Sequence, residues 1–123
     1  MSVNHDLIIK ETLSLAIKNH QQNELSEAQI LYDKILKIDP TNVIALNNLG
    51  VIYQEFKEYP KSVESYEKAI KFDPTHAQSL NNLGFLYQKL GKLRKAQSCL
   101  EKAIEIDPNS IDANNNLGVL YQK

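Results

Sequence analysis

The chain has 123 residues and a mass of 14.0 kDa, is 42% hydrophobic and 24% charged, and carries a net charge of -1 from 14 basic and 15 acidic residues. This composition excludes an extensively disordered chain, and the charge balance leaves no electrostatic footprint for nucleic acid or an anionic membrane surface. A lone Cys99 excludes an internal disulfide, no run of about 18 apolar residues is present to cross a bilayer, and the N-terminal MSVNHDLIIK lacks a basic start; the expected setting is cytoplasmic.

Laid against itself, the chain repeats with a period of 34. Pro40, Pro74 and Pro108 keep that interval, and so do Gly50, Gly84 and Gly118. The units run 9–42, 43–76, 77–110 and a partial 111–123, behind a stretch 1–8 expected to extend the first helix. Units 43–76 and 77–110 share 14 of 34 positions, including Leu46 to Gly50 against Leu80 to Gly84 and Glu67 to Ile70 against Glu101 to Ile104.

In chain order, each full unit reads as two helices. In 9–42 the break falls at Asn23-Glu24, Ala28 and Tyr32 register the second helix, and Asp39-Pro40 stops it. In 43–76 the apolar spacing of Leu46, Leu49, Ile52, Tyr53 and Phe56 predicts the first helix. Lys57-Glu58 breaks it, and Val63, Tyr66, Ala69 and Ile70 predict the second, which Pro60 starts from its first turn. In 77–110 the same pattern returns around a break at Gly91-Lys92. Asn23 and Gly91 suit a left-handed turn, whereas Lys57 fits it less well. The segment 111–123 supplies one further helix and acts as a cap. Ala16, Gly50, Gly84 and Gly118 fall where a helix crosses its partner, so a larger side chain there would hold the backbones apart.

Leu46, Leu49, Gly50, Tyr53, Ser62, Tyr66 and Pro74, matched by Leu80, Leu83, Gly84, Tyr87, Ala96, Leu100 and Pro108, carry a likeness to a known family. Ala28, Tyr32 and Pro40 restore the register in the looser first unit. From Ile9 onward the sequence resembles the tetratricopeptide repeat (TPR) family. The resemblance implies an all-α fold, an alpha-alpha superhelix of about seven antiparallel helices, with the first helix of each pair lining the concave face. It also implies ladders of stacked positions: Leu13, Asn47, Asn81, Asn115; Ser14, Asn48, Asn82, Asn116; Ile17, Val51, Phe85, Val119; His20, Gln54, Gln88, Gln122; and Gln21, Glu55, Lys89, Lys123, the last with no consistent charge.

An Asn side chain can pair with both the N–H and the C=O of an extended peptide bond. In this respect the sequence is most similar to the asparagine-ladder arrays of O-linked N-acetylglucosamine transferases; LNNLG is also similar to kinesin light chains, whose repeat is longer. The implied peptide-binding residues are Asn47, Asn48, Val51, Gln54, Asn81, Asn82, Phe85, Gln88, Asn115 and Asn116. Ser14 departs from the ladder. Two other readings of the Asn pairs stay open: a solvated face inherited by duplication, and bridges between neighbouring first helices. The two-carboxylate clamp for chaperone C-termini is not expected, because among Leu13, Ile17, Asn48, Gln78 and Asn82 only Asn48 matches it.

No catalytic residue, metal site or cofactor is expected. His5, His20 and His76 lie in separate places, Cys99 reads as a structural thiol, Glu64–Lys68 and Glu67–Lys71 read as surface pairs, and every Gly is accounted for by packing or a turn. In 111–123, Leu117, Leu120 and Tyr121 are expected to have half of their neighbours, which points to a longer parent chain or to self-association through that C-terminal edge. The expected function is a non-enzymatic protein-interaction scaffold binding an extended peptide or protein segment, with no nucleic acid and no membrane as partner. The alternative is an N-terminal substrate-recruiting arm of a larger enzyme such as a glycosyltransferase.

Overall fold

The computed structural model describes residues 3–122, which form seven α-helices and, among the described residues, no strand. These are α1 (Val3–Gln21), α2 (Leu25–Ile38), α3 (Val43–Glu55), α4 (Tyr59–Phe72), α5 (Ala77–Lys89), α6 (Leu93–Ile106) and α7 (Ile111–Tyr121). Each helix packs on the next, and α3 also touches α5 as α5 touches α7. The chain is therefore a row of helix pairs with the odd-numbered helices side by side.

Three turns inside the pairs share one geometry. Asn23, Lys57 and Gly91 have φ of 61, 62 and 79°. The amide that follows each donates to a carbonyl five residues back, Glu24 to Asn19, Glu58 to Tyr53 and Lys92 to Tyr87, each at 2.8 Å. The turn residues bond to His20, Gln54 and Gln88 at 3.0 Å. This closing motif fixes a left-handed residue at the helix end. Lys57 adopts it as fully as the other two, although a left-handed non-glycine costs about 1–2 kcal/mol; the hydrogen bonds and the packing of α3 on α4 impose the turn.

Between the pairs, the Asp-Pro sequences act through the residue before proline, which is pushed into extended backbone. Asp39, Asp73 and Asp107 have φ of -135, -141 and -132°. Asp39 and Asp73 also accept from the amide and hydroxyl of Thr41 and Thr75, at 3.1 and 2.8 Å in both turns. Those bonds hold the Asp73 carboxyl below its usual range. The next helix is then capped by Asn42, His76 or Ser110, whose side chains accept from Ala45, Ser79 and Ala113 N–H. Pro60 lies in the first turn of α4, where no amide donor is needed.

The core is strung along the row. Ala16, Ala28, Tyr32, Ile35, Leu49 and Ile52 bury one stretch across α1, α2 and α3. Tyr66, Leu83, Leu86, Ala96, Leu100 and Leu120 bury the next across α4 to α7. A Cβ on Gly50 would lie 2.5 Å from the Tyr66 ring, and one on Gly84 would lie 2.7 Å from Leu100 Cγ, so both crossings need glycine. Two expectations are corrected here. Gly118 has nothing within 4 Å of such a Cβ, because no described helix crosses α7 there. Leu120 is 6% exposed, since it faces back into the α5–α6 core, and the open side of α7 carries Ile111 and Tyr121 instead.

Candidate functional site: an asparagine-lined groove

The odd-numbered helices present one face to a groove of about 650 Å³, bounded by α3, α5 and α7 and closed at one end by the turn into α4. Of the expected residues, Val51, Gln54, Asn81, Asn82, Phe85, Asn115 and Asn116 line it. Asn48 lines a separate hollow between α1 and α3 with Ile17, His20, Gln21 and Tyr32. Asn47 and Gln88 line neither. Lys123, the last member of the fifth ladder, lies outside the described residues.

The Asn positions are joined diagonally. Asn82 Nδ2 donates to Asn47 Oδ1 at 3.1 Å, and Asn116 Nδ2 donates to Asn81 Oδ1 at 2.9 Å. His20 Nε2 lies 3.5 Å from Glu55 Oε2 with the same offset of 35 residues. Neighbouring first helices are thus offset so that position n of one unit meets position n + 1 of the next. Each cross-link ties together two ladders that the period alone draws as parallel.

Asn47 is the deepest consequence. It is 2% exposed and accepts from both Ser79 Oγ at 2.9 Å and Asn82. Expected at the groove surface, it is instead buried beneath it as an anchor between α3 and α5. For Asn48 the diagonal partner would be residue 13, which is Leu13, and the Asn48 amide donates to the Tyr32 hydroxyl at 3.1 Å. Leu13, more than Ser14, is the residue that interrupts the network at the first unit.

Toward a ligand, the amide hydrogens of Asn81, the carbonyls of Asn82 and Asn116 and the whole Asn115 carboxamide carry no side-chain hydrogen bond among the described residues. Uncommitted donors and acceptors are therefore both present in the groove lining. Phe85 stands 44% exposed beside the half-buried Val51 as an apolar patch. Glu55 and Asp112 are set against Lys57 and Lys89, and Lys89 Nζ lies 5.5 Å from the Tyr59 ring centre. The lining has no net charge.

Behind the wall, Tyr66 donates to Gln54 Oε1 at 3.1 Å, and burial pushes its hydroxyl pKa up. Gln88 is the equivalent of Gln54, but Leu100 stands where Tyr66 does, and among the described residues the buried Gln88 Oε1 has no partner. Leu100→Tyr places a hydroxyl opposite that oxygen, in a site the preceding unit already accommodates. A buried unsatisfied acceptor costs about 1–3 kcal/mol, so thermal unfolding of this variant should rise by several degrees. A fall in melting temperature would refute the pairing.

No group of three His, Cys, Asp or Glu side chains is placed to hold an ion among the described residues. Burial raises the Cys99 thiol pKa, as it does for an unreactive thiol. Lys68 pairs with Glu64 at 3.0 Å as expected, whereas Glu67, expected with Lys71, accepts from the Tyr87 hydroxyl at 3.2 Å. Burial first, and the Glu67 charge second, push Tyr87 up to about 12. No described helix is long and apolar enough to cross a membrane.

Residues 41–109 match a family model described as tetratricopeptide repeat, and residues 99–123 match another of the same description. No curated protein matches the sequence. Among solved structures, an O-GlcNAc transferase of Thermobaculum terrenum superposes with a TM-score of 0.92 at 26% identity, over 98% of this chain and 23% of that one. The Sgt2 TPR domain from Aspergillus fumigatus superposes at 0.86 with 25% identity, over 98% and 79% of the two chains. The first TPR of Spaghetti, bound to the HSP90 peptide SRMEEVD, superposes at 0.87 with 23% identity, over 93% and 90%.

Proposed function

We propose, on the premise that this chain belongs to the tetratricopeptide repeat family, that it is a non-enzymatic scaffold binding an extended peptide in its Asn-lined groove. The observation that carries the reading is one groove lining that holds both uncommitted amide donors, on Asn81, and uncommitted carbonyl acceptors, on Asn82 and Asn116. A peptide bond needs one of each, so the wall can grip backbone without selecting side chains. Phe85 and Val51 add an apolar pocket that selects one anchoring side chain. Binding of a peptide by a TPR of the same fold is named for Spaghetti with its HSP90 peptide. Here Leu13 and Ile17 stand where the resemblance would require clamp residues, which favours backbone reading over carboxylate capture.

Titration of two decapeptides of unrelated sequence tests this. Both should bind wild type, and Asn82→Ala/Asn115→Ala should weaken both by a similar factor of about 5–10, since each net hydrogen bond is worth about 0.5–1.5 kcal/mol. Unchanged affinity for either peptide refutes backbone recognition. A second reading keeps the same groove but places it in a recruiting arm of a larger glycosyltransferase. It rests on the superposition with the Thermobaculum enzyme, of which this chain spans about a quarter.

A further inference from the structure

Away from the Asn-lined groove, the even-numbered helices α4 and α6 flank a second cavity of about 410 Å³ with α5 as its floor. Ile70, Leu80, Leu83 and Tyr87 make the apolar base, and Lys71, Lys95 and Lys102 stand on the rim beside Glu67. One repeat earlier, α2 and α4 flank an equivalent cavity of about 310 Å³ over Leu36, Leu46, Leu49 and Tyr53. The architecture is the same, and the charge is not.

The earlier cavity sets Lys61 and Lys68 against Asp33 and Glu64, and its lysines are occupied: Lys68 pairs with Glu64 at 3.0 Å and Lys61 with Glu58 at 3.4 Å. In the later cavity Ser98 replaces Glu64, Lys71 joins the lining, and the one carboxylate, Glu67, accepts from the Tyr87 hydroxyl at 3.2 Å. None of Lys71, Lys95 and Lys102 has a carboxylate within ion-pair distance among the described residues. Lys95 Nζ lies 5.5 Å from the Tyr87 ring, and beyond it Lys92 and Arg94 line an adjoining hollow. Duplication has thus left an apolar slot ringed by unpaired ammonium groups on one unit and a neutralised slot on the other.

We infer that the α4–α6 slot docks an acidic peptide segment, with carboxylates on Lys71, Lys95 and Lys102 and an apolar side chain over Ile70 and Cys99. This second surface is independent of the groove between the odd-numbered helices, so one chain holds two peptides at once. Charge complementarity of this kind sets partner choice and makes binding salt-sensitive.

The probes are a capped (Glu-Leu)5 decapeptide and its neutral counterpart (Gln-Leu)5, titrated into the full chain. The acidic peptide should bind at least tenfold more tightly than the neutral one. Lys71→Glu/Lys102→Glu should remove at least tenfold of that affinity, while Lys68→Glu in the earlier slot should change it less than twofold. Bound peptide should also slow alkylation of Cys99 at least threefold, as the only thiol in the chain lines this slot. Equal affinity for the two peptides, equal loss from Lys68→Glu, or an unchanged alkylation rate under saturation overturns the proposal. Weaker binding of the acidic peptide by Asn82→Ala/Asn115→Ala, with full affinity kept by Lys71→Glu/Lys102→Glu, transfers the site to the other groove, which overturns this inference and leaves the proposed function standing.

Discussion

Gly84→Leu should abolish cooperative folding or lower the melting temperature by at least about 15 °C, while Gly118→Leu, the same substitution one period later, should leave it unchanged or raise it. At Gly84 even the first added carbon would sit 2.7 Å from Leu100 Cγ, 2.8 Å from its Cδ2 and 3.3 Å from the Ala96 carbonyl oxygen. Leu100 and Ala96 are fully buried, so neither can yield toward solvent. Four added carbons must separate α5 from α6, and overpacking of this extent exceeds the usual 1–3 kcal/mol by enough to rival a total stability of about 5–15 kcal/mol. At Gly118 a Cβ meets nothing within 4 Å, and replacing Gly by Leu gains up to about 1 kcal/mol of helix propensity. Circular dichroism melts of both variants decide the matter. Equal losses would show that glycine serves the helix backbone itself and not the crossing.

That contrast marks what the sequence makes legible. Helix number, breaks and the demand for a small residue follow from spacing, because a period of 34 copies local chemistry from unit to unit. Whether a copied residue meets a partner depends on the neighbouring helix, and the period is silent there. Gly118 keeps the pattern without the contact, and Gln88 keeps the amide of Gln54 while Leu100 has lost the hydroxyl that Tyr66 supplies. Lys57 shows the converse: its side chain argues against a left-handed turn, and tertiary packing imposes one. In the groove, Asn81 and Asn82 were readable from the repeated LNNLG and Phe85 from the position that follows it, but the lateral offset between helices was not. A period of 34 cannot reveal a hydrogen bond between residues 35 apart.

Asn47 is where that offset should be felt most. Leu fits the position, since Leu13 holds the equivalent place in the first unit and packs against its core. Asn47→Leu therefore tests hydrogen bonding with little change in shape. It removes the acceptor shared by Ser79 Oγ and Asn82 Nδ2 and the donor facing Asn48 Oδ1 at 3.4 Å. Ser79 is fully buried, and its hydroxyl can turn only toward His76 Nδ1 at 2.7 Å, a nitrogen that already receives the Ser79 amide at 3.3 Å as the α5 cap. A loss of about 2–3 kcal/mol follows from unsatisfied buried groups of this kind. Asn81→Leu, the same change one unit on, should cost under about 1 kcal/mol, because Asn81 is half-exposed and its partner Asn116 can turn to water. Urea denaturation of both variants with Ser79→Ala in a double-mutant cycle measures the difference. Coupling between Asn47 and Ser79 should exceed 1 kcal/mol, and additive effects would mean that the α3–α5 interface is held by packing alone.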